Sequence, residues 1–153
     1  MPAFAAPALA DPPTRSDGDF SYVVEHSPGP DACDFPLQES VGARVESKVF
    51  TGKDGTVVKE ILTLPGAYQE WTNLDTGERL RLAWSGPGST RSTQDGTIVI
   101  GTGIYSWRTD PRLPLGEGDL GFWVTMGRHT YDEATGDDRI AGRVVDVCQR
   151  LSP

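Results

Sequence analysis

From Val41 to Cys148 a turn signal breaks the chain about every ten residues, and apolar and polar residues alternate between the breaks. Period-two alternation turns one face of a strand toward a core and leaves the other wetter. Val41, Ala43, Val45, Ser47 and Val49 alternate with Gly42, Arg44, Glu46, Lys48 and Phe50. Gly52-Lys-Asp-Gly55 then supplies a hairpin turn, because Asp-Gly tolerates positive φ. Thr56 to Leu64 returns as a strand, Pro65-Gly66 turns the chain, and Ala67 to Asn73 is the next strand. After Asp75-Thr-Gly-Glu78, Leu80, Leu82 and Trp84 alternate with Arg79, Arg81 and Ser85. Gly86-Pro-Gly88 and Gln94-Asp-Gly96 bracket a polar strand at Ser89 to Thr93. Thr97 to Trp107 is long, with Val99, Gly101, Gly103, Tyr105 and Trp107 on one parity. Its glycines predict a bend or bulge, and a one-residue slip there would reverse every side chain beyond it. Arg108 to Asp119, with Pro111, Pro114, Gly116 and Gly118, is the longest loop of the body. Leu120 to Met126, Arg128 to Asp132 and Ile140 to Cys148 close the pattern around a turn at Glu133-Ala-Thr-Gly136.

About eight short strands with hairpin connections predict an all-β fold, a single antiparallel barrel or barrel-like sandwich in mostly up-and-down order. At 153 residues the chain is one domain with enough length for a core. The body spans 32–153. Residues 11–31 read as a flexible, disordered Pro-rich arm, in which Phe20 to Val24 is a first strand or a docked segment. Residues 1–10 read as the tail of a signal peptide: Ala8-Leu9-Ala10 fits the small-x-small cleavage rule, although no Lys or Arg precedes the short apolar stretch.

Cys33 and Cys148 are the only cysteines, and they stand at the two ends of the strand-rich body. Bonded to each other they would close a loop of roughly 115 residues, worth about 4–5 kcal/mol in the chain-entropy treatment. The alternative is two unrelated buried thiols. A disulfide places the protein outside the reducing cytosol, secreted or in the cell envelope. There is no CxxC, so thioredoxin-type redox chemistry is absent, and two cysteines make no zinc knuckle.

Several segments in order carry a resemblance: Ala32-Cys-Asp-Phe-Pro36, Leu64-Pro-Gly66, Thr72-Asn-Leu-Asp-Thr-Gly77, Trp84-Ser-Gly86, Gly101-Thr-Gly103, Gly127-Arg-His-Thr130 and Gly142-Arg-Val-Val-Asp-Val-Cys148. The chain after residue 31 resembles a group of small exported proteins of uncharacterised function from high-GC actinobacteria. The resemblance implies secretion, a β body and the disulfide. It brings no catalytic residues with it.

A net charge of −8 argues against phosphate-backbone binding, which needs clustered Lys and Arg, and against docking on anionic lipid, so no nucleic acid is expected as a partner. No apolar run is long enough to be a transmembrane segment. The oligomeric state has no signature in the sequence. No motif calls for a cofactor or a metal: HExxH is absent, and Asp132, Glu133, Asp137 and Asp138 lack EF-hand spacing. No Gly-x-Ser-x-Gly elbow marks a serine nucleophile, and Ser89 sits in a hairpin pattern. Glu117 and Asp119, near Asp110, form a carboxylate set of the type used on glycosides, with nothing to mark a raised pKa. Of the two histidines, His26 lies in the arm, and His129 lies in a strand beside Thr130, Tyr131 and Asp132.

The aromatics carry the functional expectation. Trp84, Tyr105, Trp107 and Phe122 share the apolar parity of their strands, so inside a barrel they fill the core or wall a cavity. Trp71 and Trp123 fall off that stripe and are candidates for an exposed contact face. The leading expectation is an exported non-enzymatic binding protein that holds a small apolar or amphipathic molecule in the barrel mouth. Arg81 and His129 would supply polar contacts at its rim. The alternative is an interaction factor with a solid core, which meets a protein partner through loop 108–119 with Trp123 or Trp71. A weaker alternative is a small barrel cyclase or isomerase with His129 as acid or base.

Overall fold

The computed structural model describes residues 12–84, 86–93, 96–113, 118 and 120–153. They form nine strands and one short helix: β1 (Thr14–His26), β2 (Leu37–Thr51), β3 (Val57–Thr63), β4 (Tyr68–Asn73), β5 (Arg79–Ala83), β6 (Gly88–Thr93), β7 (Gly96–Thr109), β8 (Leu120–Asp132), β9 (Asp137–Asp146) and α1 (Val147–Leu151). Every pairing is antiparallel.

β2 organises the sheet. One of its edges pairs with β1 along the whole register from Thr14↔Val49 to His26↔Leu37. A strand has two edges, so β3 and β4 must divide the other. Leu37 to Gly42 pairs with β4, and Glu46 to Thr51 pairs with β3. The sheet then runs β4–β5 on one branch and β3–β6–β7–β8–β9 on the other. Among the described residues β1 pairs only with β2 and β9 only with β8, so the barrel expectation is corrected to an open sheet. The up-and-down order is corrected with it. β3 pairs with β6 instead of β4, because β2 is long enough to receive both hairpins side by side.

The arm is corrected as well. Residues 14–26 form a strand of thirteen residues, because Phe20, Tyr22 and Val24 alternate opposite Ala43, Val41 and Glu39 on the full edge that β2 offers. The prolines at 12, 13, 28 and 30 bracket that strand without interrupting it. Residues 1–10, the signal-peptide reading, lie outside the described residues.

β4 buries Gln69, Trp71 and Asn73 alternately. Directly opposed residues of an antiparallel pair share a face. Leu37, Val41, Trp71, Leu80 and Leu82 therefore line one side. That side meets Ile104 of β7, Phe122 and Val124 of β8, Val147 and Leu151 of α1, and Cys33 with Phe35, in one packed core. The last stretch was expected to stay a strand to Cys148. It turns helical instead, because the Asp146 carboxylate accepts a hydrogen bond from the Gln149 N–H at 3.0 Å and caps the first turn. The turn sets Val147 and Leu151 on the core face and brings Cys148 to Cys33, with which it is bonded at a Cα–Cα distance of 5.2 Å.

Asn73 ties three pieces together inside this core. Its Nδ2 donates to the Leu151 carbonyl at 2.9 Å, and its Oδ1 accepts from the N–H groups of Asp75 at 2.9 Å and Thr76 at 3.3 Å. The side chain is fully buried, so removal leaves polar backbone groups without a partner. Asn73→Ala is expected to lower the unfolding free energy by about 2 kcal/mol, read from the guanidinium midpoint.

A row of three glycines crosses the other branch: Gly103 opposes Gly127, and Gly127 opposes Gly142. Gly103 and Gly127 have φ of 141° and 155°, a conformation that side chains resist. The β8 and β9 backbones approach so closely that a Cβ on Gly127 would stand 2.2 Å from the Ala141 carbonyl oxygen, and one on Gly142 would stand 2.1 Å from that of Met126. No bulge lies at these glycines: the β7–β8 register runs unbroken from Ile98↔Asp132 to Trp107↔Trp123.

The core side of β2 continues through Ser47↔Leu62, Leu62↔Gly88 and Gly88↔Gly101 to Tyr105 and Trp107 by parity. Yet the β7 residue inside the core is Ile104, from the opposite parity. Between β2 and the far end of β7 the sheet exchanges the face it shows to the core, and the glycine row lies on that stretch.

Candidate functional site

The exchange separates the predicted aromatics. Phe122 is buried in the core, with the Arg108 guanidinium 3.8 Å from its ring centre and the His26 ring at 4.6 Å. Tyr105 and Trp107 lie on the opposite side of the β7–β8 sheet and remain half-buried. A shared inward parity for all four aromatics is thus corrected: alternation counts faces, and the fold reversed which face is inside. Trp71, expected to be off the stripe, is fully buried because its mate Glu39 stands between Leu37 and Val41 on the core side. Trp123 is the mate of Trp107, half-buried, with the Arg112 guanidinium 5.1 Å from its ring. Arg81 leaves the site. On β5 it points away from Leu80 and Leu82, stacks on Tyr68 at 3.9 Å and pairs with Glu70 at 3.6 Å.

Trp84, Tyr105, Trp107 and His129 do come together. Trp84 follows β5, where its N–H donates to the Ala67 carbonyl at 2.8 Å. Its indole covers Gly103, with Cδ1 2.6 Å from where a Cβ would be. Tyr105 folds back along β7 until its hydroxyl fills the Cβ position of Gly101. The two glycines therefore receive the two aromatic rings that any side chain would displace. Between the rings, Leu62, Leu64 and Val99 complete a mainly apolar groove of about 230 Å³. Burial raises the Tyr105 pKa, so its phenol is neutral through the physiological range. Its hydroxyl has no hydrogen-bond partner among the described residues.

His129, opposite Gly101, packs its ring on Tyr105 at 4.7 Å and edge-on to Trp107 at 5.9 Å. Its Nε2 is bonded to the Asp138 carboxylate. Trp107 donates its Nε1–H to Thr125 Oγ1 at 3.0 Å and borders a second groove of about 260 Å³ with Pro111, Leu113 and Ile140. His129 lines neither groove. It packs against the two rings from outside both grooves.

The acidic turn is internally engaged. Asp132 accepts from the Ala134 and Thr135 N–H groups, Glu133 from the Thr97 N–H, Asp137 from Arg139, and Asp138 pairs with His129. Asp110 is held by Arg112, whose hydrogen bonds keep its carboxyl below the usual range. Glu117 and Asp119 lie outside the described residues.

Sequence reasoning missed a polar cluster beside the core. The Glu39 carboxylate meets His26 Nε2 at 3.0 Å, the Gln69 side-chain amide and the Tyr22 hydroxyl at 3.5 Å. Gln69 also donates to Ser106 Oγ at 2.9 Å. Burial, then the nearby Glu39 charge, raises the Tyr22 pKa. Strands β1, β2, β4 and β7 each contribute, so the cluster pins β1 to the body. The parity of Glu39 with Leu37 and Val41 was the one available signal.

Fold and groove together define a class: an open nine-stranded antiparallel sheet with a packed core, a disulfide across its ends and an aromatic groove whose Trp84 wall packs against that core. Among the described residues no helix is long and apolar enough to cross a membrane. Comparison with protein-family models, with curated proteins and with solved structures finds no match.

Proposed function

We propose that this is an exported, non-enzymatic binding protein that holds a small apolar molecule with one polar group in the groove between Trp84 and Tyr105. The carrying observation is the construction of that groove, in which two aromatic walls from separate elements are seated on glycines that nothing else could occupy. At about 230 Å³ it is smaller than the roughly 300 Å³ at which drug-sized sites begin, so the ligand is a single ring or a short chain. The Tyr105 hydroxyl is the polar handle. The core is packed with Trp71, Phe122, Ile104 and their neighbours. Export is supported by the Cys33–Cys148 bond, by Ala8-Leu9-Ala10 and by the resemblance to exported actinobacterial proteins.

Native mass spectrometry of exported protein, set against its denatured mass, tests this directly. The expected result is an adduct that leaves on denaturation. Trp84→Ala is expected to weaken binding of that molecule at least about tenfold, or roughly 1.4 kcal/mol, while His129→Gln leaves it bound. A bare mass, together with no thermal shift from simple phenols or short fatty acids, would overturn the reading. A turnover that stops in His129→Gln would replace it with the enzymatic one.

A further inference from the structure

The outer edge of β1 has no pairing partner among the described residues, although β1 is thirteen residues long. Such an edge is a template for another strand, and proteins normally blunt it with charged side chains, Lys above all, or with Pro, a bulge or a short length. β1 holds no Lys or Pro, and its register with β2 is continuous, so its four charges, Arg15, Asp17, Asp19 and Glu25, decide which strand it can accept. It also exposes four large apolar side chains: Phe20 at 37%, Tyr22 at 44%, Val23 at 63% and Val24 at 41%.

We infer that β1 is the interface to a second copy of this chain, the two β1 strands pairing antiparallel across a two-fold axis at Phe20. An axis normal to the sheet keeps each side chain on its own face, so opposed residues must have numbers whose sum is even. With the axis at Phe20 the sum is 40, and Thr14 to His26 is paired over its full length. Arg15 then faces Glu25 of the second copy at both ends, Asp17 faces Val23, and Asp19 faces Ser21. The neighbouring registers fail on charge. Moving the axis to Asp19 sets that carboxylate against itself, and moving it to Ser21 sets Asp17 against Glu25. A further step in either direction opposes Asp17 to Asp19, or Asp19 to Glu25.

Shape agrees with charge. At this register Phe20 packs on Phe20, and the exposed Tyr22 ring lies opposite Gly18. The Cβ direction of Gly18 is open, with nothing within 4 Å, so an aromatic ring from across the axis fills a space the single copy leaves empty. The inference is independent of the groove, which lies on β3, β6 and β7.

Sedimentation velocity over a dilution series of the full chain tests it. The wild type is expected to be a dimer. Arg15→Glu and Glu25→Arg each bring like charges together twice and are expected to weaken association at least tenfold. The double exchange restores the pairs and should recover the dimer, which separates a specific register from a folding defect; far-ultraviolet circular dichroism on each variant checks the fold. A monomeric wild type overturns the inference, whether another protein or residues 1–11 cover the edge. A dimer that ignores both single exchanges overturns it too, because the interface is then elsewhere.

Discussion

Replacing Cys33 and Cys148 with serine lowers the unfolding free energy by about 4–5 kcal/mol, the loop-entropy value for a closure of this length. The bond joins positions 115 residues apart, so it removes a large part of the freedom of the unfolded chain. It also lies where the native state loses most from a gap. Cys33 is 1% exposed and packs with Phe35, Leu37, Val147 and Leu151. Domains of this size are stable by about 5–15 kcal/mol, so the loss is a large share of the total. Guanidinium unfolding of the oxidised wild type against the double variant measures it. A difference under about 1 kcal/mol would show that packing alone holds the 32–36 segment to α1, and that the disulfide is incidental to stability.

Gly127→Ala costs more than about 3 kcal/mol, from a strained backbone conformation and a steric overlap that act together. With φ at 155° an alanine begins outside its favoured region. Its Cβ then meets the Ala141 carbonyl oxygen at 2.2 Å and the Gly142 Cα at 2.7 Å. Both are backbone atoms of a paired strand, so neither rotates away as a flexible side chain would. Gly29→Ala is the matched control, with open space around its Cβ, and should change stability by less than about 1 kcal/mol. Thermal melts compare the two, and near-ultraviolet circular dichroism reports whether the rings of Trp84 and Tyr105 keep their setting. A tolerated alanine at Gly127 would mean that the face exchange in β7 and β8 does not depend on the glycine row.

Much of the chain is legible without coordinates. Gly55, Gly77 and Gly136 take positive φ at turns the sequence marks, because no other residue enters that region so cheaply. Turn chemistry is local, and so is the alternation that marks Leu80 and Leu82 or Trp71 and Asn73 as residues of one face. Glu39 shows the limit. It shares the parity of Leu37 and Val41 but is a carboxylate, and only the convergence of His26, Gln69 and Tyr22 explains its place beside the core. His26 lies in a Pro-rich stretch, and the partner that orders it is thirteen positions away, across the β1–β2 pair.

By itself the sequence determines that this is an all-β protein, where most of its turns fall, and which residues within a strand share a face. It also marks Cys33 and Cys148 as the natural tie between the ends. Only the tertiary structure decides that β2 receives both β3 and β4, that the sheet stays open, and that Ile104 and Phe122 go inward while Tyr105 and Trp107 go outward. The reason is a symmetry in the code. Period two says that two faces alternate, and reads the same whichever face is buried. That choice comes from non-local packing, here along the row of Gly103, Gly127 and Gly142, whose alignment appears only when three strands lie side by side.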